Sequence, residues 1–110
     1  MSRREAELYL EDIKSSIEKI EEYIDGIDFE NFSKDAKTID AVVRNLEIIG
    51  EAANNLPEEI KSQNPEIPWK EAVGMRNKVA HEYFGVDDEI LWKTITEDLP
   101  NFKEQISKLL

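Results

Sequence analysis

The chain has 110 residues, a length that fits one compact domain (residues 1–110), and 40% of them are hydrophobic, enough for a core. Its 14 Lys and Arg against 25 Asp and Glu give a net charge of −11, which excludes a protein that coats nucleic acid over its whole surface and suits a basic partner. No cysteine and a single histidine exclude disulfides, thiolate metal sites and a histidine-based structural zinc.

No apolar run approaches the roughly 18 residues that span a bilayer, and MSRREAELYL carries no apolar signal core. The cytoplasm is therefore the expected compartment. A chain this short buries only roughly 60–70% of its unfolded surface, so self-association is plausible on size alone.

The first element is a helix expected over Arg3 to Asp25. Leu10, Ile13, Ile17, Ile20 and Ile24 recur at spacings of three and four, which is one helical stripe. Ser2 with Glu5 has capping-box spacing, and Gly26 is a stop signal. A linker follows around Asp28 to Phe32. Ser33 then reads as the N-cap of a second long helix ending near Asn55, with Ile39, Val42, Val43, Leu46, Ile49 and Ala53 on its apolar side. Gly50 interrupts that helix at a cost of about 1 kcal/mol relative to Ala, which close packing of another backbone would explain. Pro57 fits the first turn of a short third helix over Glu58 to Ser62, and Asn64 to Pro68 is a break. Pro68 starts a fourth helix carrying Trp69, Ala72, Val73, Val79 and Ala80, ended by Gly85. Val86, Asp87 and Asp88 open a last helix with Ile90, Leu91, Trp92 and Ile95, which Pro100 kinks or restarts before Phe102, Ile106 and Leu109. No segment alternates with a period of two. The expected fold is all-α: an antiparallel up-and-down bundle of four main helices plus one short helix.

Chemistry concentrates in RNKVAHEY, Arg76 to Tyr83, on the fourth helix. Arg76 offers a bidentate cation for a phosphate. His81, the lone histidine, carries a proton near neutral pH, and Tyr83 presents a hydroxyl. These groups suit chemistry on a phosphodiester, or binding of one. On an ideal helix Arg76 and Tyr83 fall nearly in line, whereas Arg76 and His81 diverge by about 140°. Convergence of Arg76 with His81 then has two routes: a distortion near the helix end, or two copies of the chain pooling their residues across a twofold axis. Metal-free RNA cleavage needs one group to take the 2′-hydroxyl proton, another to protonate the leaving 5′-oxygen, and a cation for the charge on phosphorus. A single His fills both proton roles poorly, and a dimer supplies two.

A purely structural role remains open for the same residues: His81 beside a helix-terminal dipole, Arg76 paired with a carboxylate, Tyr83 half-buried. Glu47 with Glu51 is a weak metal-site signal in so acidic a chain. Asp40 with Arg44, one turn apart, reads first as a structural pair; with Glu51 they are also candidates for supporting groups behind the site. Glu82 puts a negative charge beside His81, so RNA affinity would depend on a local cationic patch drawn from Arg44, Lys70, Arg76 and Lys78.

Arg76-Asn77, four residues to His81 and one more to Tyr83 resembles the signature of the HEPN superfamily, and in particular its HepT-like toxins. The similarity extends over TIDAVVRNLEIIGEAANNLP and IPWKEAVGMRNKVAHEYFGVDDEILWKTITEDLPNF. The resemblance implies an all-α homodimer with metal-independent endoribonuclease activity, a toxin of a type VII-like toxin–antitoxin pair that needs no cofactor. It implies Arg76 and His81 lining a cleft at the dimer interface, Asn77 supporting them, and RNA (tRNA or mRNA) as substrate. It also implies an MntA-type nucleotidyltransferase antitoxin that neutralises the toxin by AMPylation of Tyr83. Two rival readings are a non-catalytic helical partner that docks a minimal nucleotidyltransferase, and a structural helical dimer.

Overall fold

The computed structural model describes residues 2–82 and 88–110, with side chains for 2–75 and 88–110. The expected Gly85 stop, Val86, Asp87 and Tyr83 lie outside the described residues. Helix α1 spans Arg3–Ile24, started by the Ser2 hydroxyl, which accepts the Glu5 backbone N–H at 3.2 Å. It ends where Gly26 takes φ +77°, a left-handed conformation open to a residue without Cβ. Leu10, Ile13, Ile17 and Ile20 are buried together with Ala6 and Ser16, so the stripe is the helix's core face.

The expected linker after α1 is instead a short helix, α2 (Phe29–Ser33). Asp28 caps it by accepting from the Asn31 backbone N–H and from Asn31 Nδ2, each at 2.9 Å. It exists to place Phe32, which is fully buried. Ser33 therefore does not cap the second long helix: its hydroxyl donates back to the Glu30 carbonyl inside α2 at 2.9 Å. Asp35 is the N-cap of α3 (Ala36–Asn55), accepting from the Thr38 backbone N–H at 3.1 Å and from Thr38 Oγ1 at 2.6 Å. These bonds, with nearby Lys37, hold the Asp35 carboxyl below its ordinary pKa. Gly50 is buried on α3, as are Val42, Val43, Leu46, Ile49 and Ala53.

Helix α4 (Glu58–Gln63) begins after Pro57, and the Asn64–Pro68 break is pinned by Trp69, whose Nε1 donates to the Asn64 carbonyl at 3.0 Å. Helix α5 spans Trp69–Glu82. Then α6 (Asp88–Lys93), a π-helical turn (Thr94–Asp98) and α7 (Leu99–Ser107) follow one another without a break. Pro100 explains that turn. It has no N–H and its ring crowds the carbonyl four residues back. The ladder shifts, so that the Leu99 N–H reaches the Thr94 carbonyl five residues back. The expected kink is thus absorbed as one wide turn.

Helix α3 packs between α1 and α5, and α7 packs against α1. Tyr9 and Asp12, early in α1, face Ala52 and Asn55, late in α3, so those helices run antiparallel. Lys103 on α7 reaches Glu21 on α1 at 2.7 Å, and Trp69 meets Phe102 edge-on at 6.2 Å. With α6–α7 counted as one, the described residues form four main helices and two short ones, all-α throughout. No described helix is long and apolar enough to cross a membrane.

Candidate functional site

Helix α5 is built in two halves. The first half packs: Trp69 and Ala72 are buried, and Val73 and Met75 are half-buried against the core. Arg76 lies seven residues beyond Trp69 and four beyond Ala72, so a cation occupies the next register position of a core-facing stripe. Asn77 and His81 follow on the same helix, and their side chains, like that of Arg76, lie outside the described residues.

The backbone limits how the two principal groups meet. Residues 69–82 form one unbroken α-helix, so Arg76 and His81 keep the roughly 140° divergence that five residues impose. Of the two routes to convergence, distortion between these positions is not what the helix does.

The neighbouring helix carries the candidate supporting residues. Asp40, Arg44 and Glu51 lie on the exposed side of α3, which packs against α5. Arg44 makes an ion pair on its own helix with Glu47. Its guanidinium lies 3.9 Å from Glu47, a loose contact with the Arg side chain 71% exposed. A contact three residues on follows the same helical face. Arg44, Glu47 and Glu51 line a groove of about 410 Å³ with Ile48 of α3 and Tyr9 and Asp12 of α1. Asp40 is not part of that lining. The groove's α1 wall escaped the sequence reading. Of its α3 wall, the sequence reading names Arg44, Glu47 and Glu51 as candidates and not Ile48, Ala52 or Asn55.

Of the candidate cationic patch, Lys70 is exposed in the first turn of α5, about 9 Å along the axis from Arg76. Arg44 stands across on α3. The structure brings together Arg44 and Glu51 in one groove between α1 and α3, and places Arg76, Asn77 and His81 on α5, which packs against α3.

Known proteins give this arrangement its class. A family profile described as ribonuclease HepT-like matches residues 13–109. The chain is 54% identical over 101 residues to a probable ribonuclease HepT of Thermococcus cleftensis, covering 92% of each chain. It is 47% identical over 102 residues to a putative RNase of Caldanaerobacter subterraneus subsp. tengcongensis, covering 93% of this chain and 91% of the relative. A putative RNase of Methanocaldococcus jannaschii is 40% identical over 106 residues, with 96% and 97% covered. No solved structure matches. The chain belongs to the HepT-like ribonuclease family, a helical HEPN-type fold.

Proposed function

We propose that this protein is a metal-independent RNA endonuclease acting as a homodimer, with Arg76 of one copy and His81 of the other in a shared cleft. The observation that carries the reading is the unbroken helix over Trp69–Glu82, which holds Arg76 and His81 on divergent directions within one copy. A twofold pairing removes the difficulty, because each copy lends the other the group it lacks.

The chemistry needs no added group. A His81 imidazole takes the proton of the ribose 2′-hydroxyl, whose oxygen attacks phosphorus. The bond from phosphorus to the 5′-oxygen breaks, and a protonated His81 from the second copy delivers a proton to that oxygen. The products are a 2′,3′-cyclic phosphate and a 5′-hydroxyl. Arg76 stabilises the charge that builds on the phosphoryl oxygens. Asn77 orients the site, and Asp40, Arg44 and Glu51 on α3 position it from behind.

As a toxin in the cytoplasm, such a nuclease needs restraint. An MntA-type nucleotidyltransferase antitoxin that attaches AMP to Tyr83 would supply it, because Tyr83 belongs to the same short motif as Arg76 and a phosphate on it would compete with RNA for the guanidinium. Incubated with that enzyme and ATP, the wild-type chain gains AMP-sized mass increments. Tyr83→Phe gains none, and an increment on that variant contradicts the assignment.

Cleavage of total RNA in chelator is the first test. Wild type is expected to cut and Arg76→Ala and His81→Ala to be inert. An inert wild type points instead to a helical binding partner of a nucleotidyltransferase.

A further inference from the structure

One face of α5 is only half used by the chemistry above. At about 100° per residue, positions 70, 74, 77 and 81 fall within a sector roughly 60° wide. They hold Lys70, Gly74, Asn77 and His81. Asn77 and His81 have roles in cleavage, and Lys70 and Gly74 have none.

Gly74 is the anomaly on this face. Gly disfavours a helix interior relative to Ala, because its backbone has more freedom to lose. A left-handed conformation would require it, but among the described residues only Gly26 takes a positive φ. Close packing would also require it, yet a Cβ added at Gly74 meets nothing within 4 Å among the described residues. The described chain thus gives no reason for the missing side chain. The reason left is a close approach from outside, in which another molecule's backbone lies against the helix between Lys70 and Asn77.

Charge selects the occupant. The chain carries 25 acidic against 14 basic residues, yet this sector holds a lysine, a glycine, an amide and a histidine, and no carboxylate. Lys70 is exposed and makes no ion pair among the described residues. Glu71, its neighbour in sequence, lines a groove on the other flank with Met75 of α5 and Phe102 of α7. On α3, Glu47 and Glu51 line the groove toward α1, where Glu47 lies beside Arg44. A second copy seated here on a twofold axis would set the same cationic face against itself, which like charges oppose. A polyanionic backbone is drawn to that face.

We infer that the RNA strand runs along this face of α5, with its sugar–phosphate backbone seated at Gly74 and Lys70 on a phosphate beyond the scissile one. Positions 70 and 81 are about 16 Å apart along the helix axis, so Lys70 acts away from the reacting atoms, as a binding residue. The inference rests on the ribonuclease reading and assigns the path of the strand away from the cut. Contacts to the backbone read no base, so this path confers affinity and no sequence preference.

Binding is read by the fluorescence anisotropy of a labelled 2′-O-methyl single strand, which lacks the attacking hydroxyl and is not cut. Lys70→Gln is expected to weaken binding about tenfold and to lower the slope of log affinity against log salt by about 0.7. In total-RNA cleavage it raises the half-saturating RNA concentration and leaves the maximal rate unchanged. Lys19→Gln, which removes the same charge from the exposed side of α1, is expected to bind as the wild type does. Gly74→Leu fills the slot with a good helix former, so it is expected to raise the urea midpoint while weakening the strand by a similar factor. Gly74→Ala probes the same slot with the smallest addition should the leucine variant fail to fold. Lys70→Gln or a folded Gly74 variant binding as tightly as wild type overturns the path, while cleavage by the wild type keeps the ribonuclease reading. A Gly74 variant that turns dimers into monomers in sedimentation assigns the slot to a contact between copies and overturns the path as well. A wild type that neither binds nor cuts RNA removes the ribonuclease reading and the path together.

Discussion

Helices α1 and α5 start from the same rule and diverge. Both bury an apolar stripe against α3. In α1 the stripe runs nearly the whole length, from Ala6 through Ile20, and its outward positions are solvated charges such as Glu11 and Glu18. In α5 it holds for Trp69 and Ala72 and then meets Arg76 in the same register. On the proposed function the difference is a division of labour: one helix is given wholly to stability, and the other gives half its length to the motif. Local breaks in the core pattern are where function is expected.

The largest effect that sharpens this contrast is in the polar half of α5. His81→Ala is expected to lower RNA cleavage by about 10²–10⁴-fold with an unchanged unfolding midpoint. A variant that unfolds in step with its lost activity would erase the contrast. Next comes the packed region: Ile17→Ala in α1 and Ile49→Ala in α3, both fully buried, are each expected to cost roughly 2–5 kcal/mol in urea unfolding. Cleavage per folded molecule should be unaltered, and a loss there would mean the two regions are not separable.

A smaller effect has the opposite sign. Asn45 is buried on α3; its Nδ2 donates to the Ala41 carbonyl at 2.9 Å, but its Oδ1 finds no partner among the described residues. Asn45→Leu removes that orphaned acceptor and is expected to raise stability by about 1 kcal/mol. A fall in the urea midpoint would show that the oxygen is satisfied.

The smallest effect is a pH dependence at the start of α3. The Thr38 hydroxyl, then the Thr38 backbone N–H, lower the Asp35 pKa. A folded value below the unfolded one means its contribution is complete above the ordinary carboxylate range and fades as pH falls through the lower folded value. Asp35→Asn should flatten the acid limb of the stability profile slightly, and an unchanged limb would remove the cap's electrostatic share.

Much of this was legible in the residues. Ser2, Glu5 and Gly26 mark both ends of α1 because caps and left-handed stops depend on chemistry within a turn or so. The second long helix was placed too early because Ser33 and Asp35 are both good caps, and only tertiary packing decides between them. The need to bury Phe32 makes residues 29–33 helical, so Ser33 is spent inside α2 and Asp35 takes the cap. The π turn before Pro100 was half visible: proline announces a disturbance, but whether a helix bends or widens depends on what holds its flanks. Here Leu91 before the turn and Leu99 and Phe102 after it are held in the core. At the site, the motif gave the identities of Arg76 and His81 and the helix they share. The groove between α1 and α3 needed the fold, because its two walls lie far apart in the chain.

The central claim is that one copy's arginine works with the other copy's histidine. Arg76→Ala and His81→Ala chains, each inert alone, are mixed, allowed to exchange subunits and assayed for RNA cleavage. A mixed dimer brings one Arg76 and one His81 into the cleft, so random exchange should restore part of the wild-type activity, at most about half, because half the dimers are mixed and the lone imidazole serves both proton transfers poorly. Dimers that exchange fully and stay inert would contradict it, and would place both groups in one copy's own site.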